Sequence, residues 1–239
     1  MVIMKNKEGW RARIQARPMT WFLTLLMIVI FLIEMLLSKS IQIKSLVLYQ
    51  MGATYPPSII DGQWWRLITA GFLHGSPLHL IGNMVVFVWL GEVIEGVLGS
   101  LAVGVLFLNS VIAGNLLSLW VDPWQTLSVG ASGGIFGFFA AFIVFWLLAR
   151  QPDQWQEQAK SMAVMFVLMI ILSLMTPSVS VSGHVGGFIG GLLLTAGVMW
   201  RRPLQRIFKI KLWGICLSWL ITISIYGTVV MLSLQRWGG

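Results

Sequence analysis

"VGASGGIFGFFAAFIVFWLLA", Val129–Ala149, begins with a serine set among glycines and runs on without a polar break. The 18 residues from Ser132 to Ala149 carry no charge, which is about the length an α-helix needs to cross the hydrocarbon core of a bilayer. Two readings of Ser132 follow. Small residues let membrane helices pack closely, and Gly133 with Gly137 has the small-xxx-small spacing for that; alternatively the serine is a nucleophile. Gly130-Ala131-Ser132-Gly133-Gly134 also fits G-x-S-x-G, the nucleophile elbow of soluble hydrolases, but that motif needs a strand before the serine and a sheet beneath it. Neither is legible here.

Similar runs recur along the chain. Of its 239 residues 57% are hydrophobic and only 10% charged, and the mean hydropathy is +0.85, which excludes an ordinary soluble domain. We expect seven spans: Thr20–Ser38, Leu78–Leu98, Leu101–Trp120, Ser132–Ala149, Ser161–Met175, His184–Trp200 and Leu212–Leu234. The first is too long, and too poor in small residues at its end, to be a cleaved signal peptide. The fold class is therefore an all-α, polytopic membrane protein. Its expected parts are a basic segment over 1–19, a six-helix domain over 20–200, and a basic loop with a seventh helix over 201–239.

Basic residues orient it. With the N-terminus in the cytoplasm, Lys5, Lys7, Arg11, Arg13, Arg17, Arg150, Lys160, Arg201, Arg202, Arg206, Lys209 and Lys211 lie inside, satisfying the positive-inside rule. The net charge of +8 then reads as topology and contact with the lipid bilayer, and no nucleic acid partner is expected. Cys216 is the sole cysteine, so an intramolecular disulfide is excluded. Most of the tryptophans, among them Trp21, Trp120, Trp124 and Trp213, fall near span ends, where an amphipathic ring suits the interface.

In this topology the N-terminal ends of the second, fourth and sixth spans share the outer side. They carry "HGSPLHLIGN" (His74–Asn83), Gly130–Gly134 and "SGHVGG" (Ser182–Gly187). An ionisable side chain at membrane depth is a functional hypothesis by default. Gly183, Gly187 and Gly191, and Gly186 with Gly190, would bring the sixth helix close to its neighbours. Ser132 would then have His184 as its base, while His79 and Asn83, four residues apart on one helix face, present N–H donors to a common point. Asp153 has the chain order of a triad acid but stands roughly 30 Å from Ser132 along a helix, so a Ser-His dyad is expected. Asp61, Asp122, Glu34, Glu92 and Glu95 receive no chemistry.

Together the three motifs, at this order and spacing, resemble the rhomboid intramembrane serine proteases, over Trp65 to about Leu194. The resemblance implies a six-helix rhomboid core, here with an added seventh helix. It implies Ser132 as nucleophile, His184 as general base, and His79, Asn83 and the Ser132 backbone N–H as oxyanion-hole donors, with no cofactor. It also implies supporting places for His74, for the glycines Gly130 and Gly133 flanking Ser132, and for Trp65-Arg66, which is similar to the Trp-Arg pair of the family's first external loop. Glu95 with Gly99 resembles the pattern closing its second helix. Phe136 departs from the tyrosine some members place there, keeping a ring to stack on the histidine without a hydroxyl.

The expected activity is cleavage of single-span transmembrane protein substrates near the outer end of their helix, in a bacterial cytoplasmic membrane with the site facing outward. Four alternatives compete with this. A catalytically inactive rhomboid-like client-binding factor would generally lack the serine or histidine. A zinc site on His74, His79 and His184 is poorly served by two histidines five apart and by the absence of H-E-x-x-H. A channel or transporter would want further buried charge. Pure helix packing is the fourth.

Overall fold

Helix makes up all the long elements of the computed structural model, which describes residues 10–150, 153–175, 180–199, 204, 207, 209 and 211–237. Lys5, Lys7, Trp200, Arg201, Arg202 and Arg206 lie outside the described residues. The order is α1 (Trp10–Ala16), α2 (Pro18–Ser38), α3 (Ser45–Met51), α4 (Pro56–Ile60), α5 (Arg66–Thr69) with a 3₁₀ turn (Ala70–Phe72), α6 (Pro77–Leu98), α7 (Ser100–Val121), α8 (Ser132–Leu148), α9 (Asp153–Met175), α10 (Val181–Thr195) with a 3₁₀ turn (Ala196–Val198), and α11 (Leu212–Trp237). Among the described residues the β content is an isolated antiparallel bridge between Thr54 and Ser128.

Helices α2 and α6 to α11 fall on the apolar runs. By length and composition α2, α6, α7, α10 with its 3₁₀ turn, and α11 can cross a membrane, while Ser132–Leu148 and Lys160–Ile171 are shorter apolar helices. The fifth helix begins at Asp153, eight residues before the apolar run, because its polar first turns are helical too. The sixth begins at Val181, where the Ser180 side chain accepts the Gly183 N–H at 2.9 Å as an N-cap. Proline occupies the first turn of α2, α4 and α6, where its missing N–H has no helical partner to lose.

Helix α8 is central: Gly134 to Phe142, Val144 and Phe145 are buried, and Phe138 packs with Phe87 of α6 and Phe107 of α7. Helix α10 is held between α7 and α8 by backbone contact. A Cβ on Gly187 would collide with the Gly133 carbonyl, and one on Gly191 with the Gly137 backbone; on the other face, one on Gly186 would stand 2.6 Å from the Ala113 carbonyl. The packing reading of the glycines is therefore right for Gly133 and Gly137, and Ser132 is left free for something else.

Backbone cannot yield as a flexible side chain can, so Gly187→Ala is expected to cost at least about 1–3 kcal/mol through overpacking. Gly227→Ala on α11, with open space around it, should be neutral or slightly stabilising. Thermal melting in detergent compares them; equal melting temperatures would show that α8 and α10 do not touch as described.

Candidate active site

Ser132 is the first residue of α8, so its backbone N–H is among those a helix start leaves unpaired. The loop leading to it is pinned from outside the bundle. Thr54 and Ser128 exchange backbone hydrogen bonds at 3.0 and 3.2 Å, and the Gly130 N–H donates to the Ala70 carbonyl at 2.9 Å. Arg66 braces the opposing segment, donating to the Tyr49 and Ala53 carbonyls at 2.7 and 2.9 Å and to Gln63 at 2.7 Å, with its guanidinium 4.5 Å over the Tyr49 ring. Of the Trp65-Arg66 pair only Arg66 is internal. Trp65 is 56% exposed, so its indole does not support the loop from within.

His184 comes from α10, one turn inside the Ser180 cap. Its Nε2 lies 2.8 Å from the Ser132 Oγ, a hydrogen bond between residues 52 apart in sequence. Phe136, one turn along α8 from Ser132, stacks on the imidazole at 4.2 Å between centroids and 11° between planes. The missing tyrosine hydroxyl is thus not needed to orient this ring. At the start of α10, Ser180 and Ser182 both donate to the Asp122 carboxylate that ends α7, and Ser118 bridges to both serines at 2.7 and 3.1 Å. Asp122 therefore has a role in the sequence's blind spot: it ties the N-terminus of the histidine helix to α7. Serine hydroxyls two residues apart beside a helix-end aspartate were the available signal.

His79 and Asn83 sit on α6 and face Gly130, two residues before Ser132. A Cβ built on Gly130 would stand 2.8 Å from His79 Nε2 and 3.6 Å from Asn83 Nδ2, so the two side chains point at one spot beside the serine. Gly130 also has φ +130°, a conformation open to glycine and strained for other residues. Asn83 Nδ2 is buried with no hydrogen-bond partner among the described residues. His74 packs edge-on against His79 with ring centroids 5.1 Å apart. Burial, with His79 adding to it, pushes His74 down to about 3, so this ring is neutral. Its backbone N–H donates to the buried Glu34 carboxylate of α2 at 3.2 and 3.3 Å, giving that acid a structural partner. No group of three or more His, Cys, Asp or Glu among the described residues is arranged to hold a metal ion.

The Rhomboid domain model matches residues 61–201, more than half of the chain, a stretch that includes His79, Asn83, Gly130, Ser132, Phe136 and His184. The chain belongs to the rhomboid family. Among relatives, Rhomboid-like protease 3 of Toxoplasma gondii is 36% identical over 121 residues, which cover 51% of this chain and 45% of that protein. The putative rhomboid protease YdcA of Bacillus subtilis is 30% identical over 159 residues, 66% of this chain and 77% of that protein. RHOMBOID-like protein 5 of Arabidopsis thaliana is 36% identical over 111 residues, 46% of this chain and 35% of that protein. The chain thus spans less than half the length of two of these relatives and most of the third.

This rhomboid is closed at the other end of the bundle by two acids to which the sequence assigned no chemistry. Glu95 caps α2, accepting the Met19 and Thr20 backbone N–H groups at 2.9 and 2.8 Å, the Thr20 hydroxyl at 2.6 Å and the Ser100 hydroxyl at 2.6 Å. A carboxylate suits the positive end of the helix dipole. Glu92 receives Arg13 at 2.6 Å and the Trp21 indole at 3.2 Å, while Arg17 donates to the Glu92 carbonyl at 2.7 Å. Gly99 makes the α6–α7 corner at φ +88°, its N–H donating to the Glu95 carbonyl at 2.8 Å. The Glu95–Gly99 pattern of this rhomboid therefore serves architecture, away from Ser132.

Proposed function

We propose that this protein is an intramembrane serine endopeptidase that cleaves single-span membrane proteins by a Ser132–His184 dyad. The observation that carries the reading is the 2.8 Å contact between the Ser132 hydroxyl and His184 Nε2, made across two helices that glycines hold in backbone contact. In the first half-reaction Ser132 Oγ attacks the scissile carbonyl carbon while His184 Nε2 takes its proton. The carbonyl oxygen becomes an oxyanion facing the N–H donors of His79, Asn83 and Ser132. Collapse breaks the C–N bond, the leaving amine takes the proton from His184, and the acyl group stays on Ser132 as an ester. Water, deprotonated by His184, then attacks the ester and releases the new carboxylate with Ser132 restored.

A substrate helix hides its amides in internal hydrogen bonds, so substrates with small or helix-weakening residues near one end of the span should be preferred. Basic residues favour a cytoplasmic N-terminus, which turns the dyad outward, in the cell membrane of a bacterium, with 20–200 as the protease domain. The test is purified protein in liposomes with matched single-span substrates, with and without such residues, and fragments read by mass spectrometry. Selective cleavage by the wild type and none by Ser132→Ala supports the reading. Stable client capture with no fragment, unaffected by Ser132→Ala, would favour the client-binding alternative.

A further inference from the structure

Helix α11 lies outside the segment that carries the dyad, yet three of its side chains, Ser218, Trp219 and Tyr226, bond to the helix bearing His184 or to the α7 residue that holds it. The Tyr226 hydroxyl lies 2.9 Å from the Asn109 carbonyl oxygen and 2.8 Å from Asn109 Oδ1. Asn109, buried on α7, donates through Nδ2 to the Gly190 carbonyl of α10 at 2.9 Å. Ser218 donates to the Leu193 carbonyl, and the Trp219 indole to the Gly197 carbonyl at 3.0 Å. The carbonyls of Gly190, Leu193 and Gly197, along the second half of α10 and its 3₁₀ extension, are therefore held, directly or through Asn109, by α11.

Glycine contacts explain why α10 would need this. Gly187 and Gly191 against α8, and Gly186 and Gly190 against α7, allow close approach but offer no side-chain knobs of their own against axial sliding, and the Ser180 and Ser182 bonds to Asp122 hold only the start of the helix. Hydrogen bonds are directional and supply the register that dispersion cannot. Tyr226 has a particular part. Its hydroxyl, with one proton shared toward the Asn109 carbonyl oxygen and Oδ1, anchors the Oδ1 side of the amide, while the Gly190 carbonyl, an acceptor only, takes the NH₂ on the other side.

We propose that Tyr226 is a positioning residue for the histidine helix: by orienting Asn109 toward Gly190 it sets the register of α10, and so the approach of His184 to Ser132. The inference rests on the dyad reading above. A slip of about 1 Å would take the Ser132–His184 pair out of hydrogen-bond range, and misplacement of that size can lower turnover by up to about 10²-fold.

The experiment uses the full chain in detergent or liposomes and reads two quantities well below the melting temperature: the rate at which a fluorophosphonate probe labels Ser132, and kcat and KM for a single-span substrate. Tyr226→Phe is expected to slow labelling and kcat roughly ten-fold with KM unchanged. Asn109→Ala should do the same, and the double variant should be no worse than Asn109→Ala, since the hydroxyl acts through the amide. Trp237→Phe, which removes another tie of α11, the indole bond to the Leu119 carbonyl, should lower the melting temperature and leave labelling at the wild-type rate. Wild-type labelling by Tyr226→Phe, or equal slowing by Trp237→Phe, would overturn the inference alone. No labelling of the wild-type protein at Ser132 would overturn the dyad reading and the inference with it.

Discussion

Replacing Ser132 by alanine, His184 by alanine, or both, is expected to lower substrate turnover by the same large factor, on the order of 10⁴ to 10⁶, because a nucleophile and its base act as one unit and their removal is not additive. The fold should survive. Ser132 is only partly buried at the mouth of α8 and its contact of note is the 2.8 Å bond to His184, while the close packing around it belongs to Gly133, Gly137, Gly187 and Gly191. His184 is more enclosed, under Phe136, so some loss of melting temperature there is compatible with the same catalytic result. Fragment release by the three variants, measured alongside melting, decides the matter. A double variant much slower than either single one would mean that the two residues act separately, and residual wild-type turnover in Ser132→Ala would remove the serine from the reaction.

Removing one oxyanion donor is expected to lower kcat by about 10² to 10³, or about 2.7–4 kcal/mol of transition-state stabilisation. This applies to His79→Ala and to Asn83→Ala, with KM little changed, since the donors engage charge that exists only during reaction. Asn83 is informative because its Nδ2 is buried without a partner among the described residues; alanine removes an unsatisfied donor, so Asn83→Ala should melt no lower than the wild type less its lost packing. Gly130→Ala should act in the same direction by a different route, its Cβ falling 2.8 Å from His79 Nε2 at a backbone φ of +130°. Steady-state kinetics on the three variants check this. Unchanged kcat in both His79→Ala and Asn83→Ala would show that the oxyanion is stabilised elsewhere.

Both expectations were approachable from sequence in their parts: each side chain is legible locally, whereas the pairing of Ser132 with His184, 52 residues apart, came from three motifs on alternate spans and the family they resemble. His79 and Asn83 are one helical turn apart, and Gly130 precedes a helix start; each is decided by a few neighbouring residues. The acids were not approachable in that way. Glu34, Glu92 and Asp122 looked alike as isolated charges near apolar runs, and their side-chain carboxylates meet partners 40 to 79 residues away; Glu95 was set apart only by its likeness, with Gly99, to a family pattern. Trp65 and Arg66 looked like one unit, but packing buries only the second.

What the sequence determined by itself is the all-helical, membrane-spanning class, the approximate positions of its long helices, with the start of α9 missed by eight residues, and the short set of side chains proposed to do chemistry. Hydropathy and helix-terminus chemistry are written along the chain, and each acts within a turn or over one span. Only the tertiary structure decided that α8 and α10 touch through backbone, that Phe136 lies flat on His184, that the Ala70 carbonyl holds Gly130, and that α11 reaches α10 through Asn109. The physical reason is that lipid and protein core are equally apolar, so a membrane helix carries little apolar-polar periodicity to say which face turns inward. Side-chain shape and directional hydrogen bonds choose the neighbours, and those exist only once the helices have met.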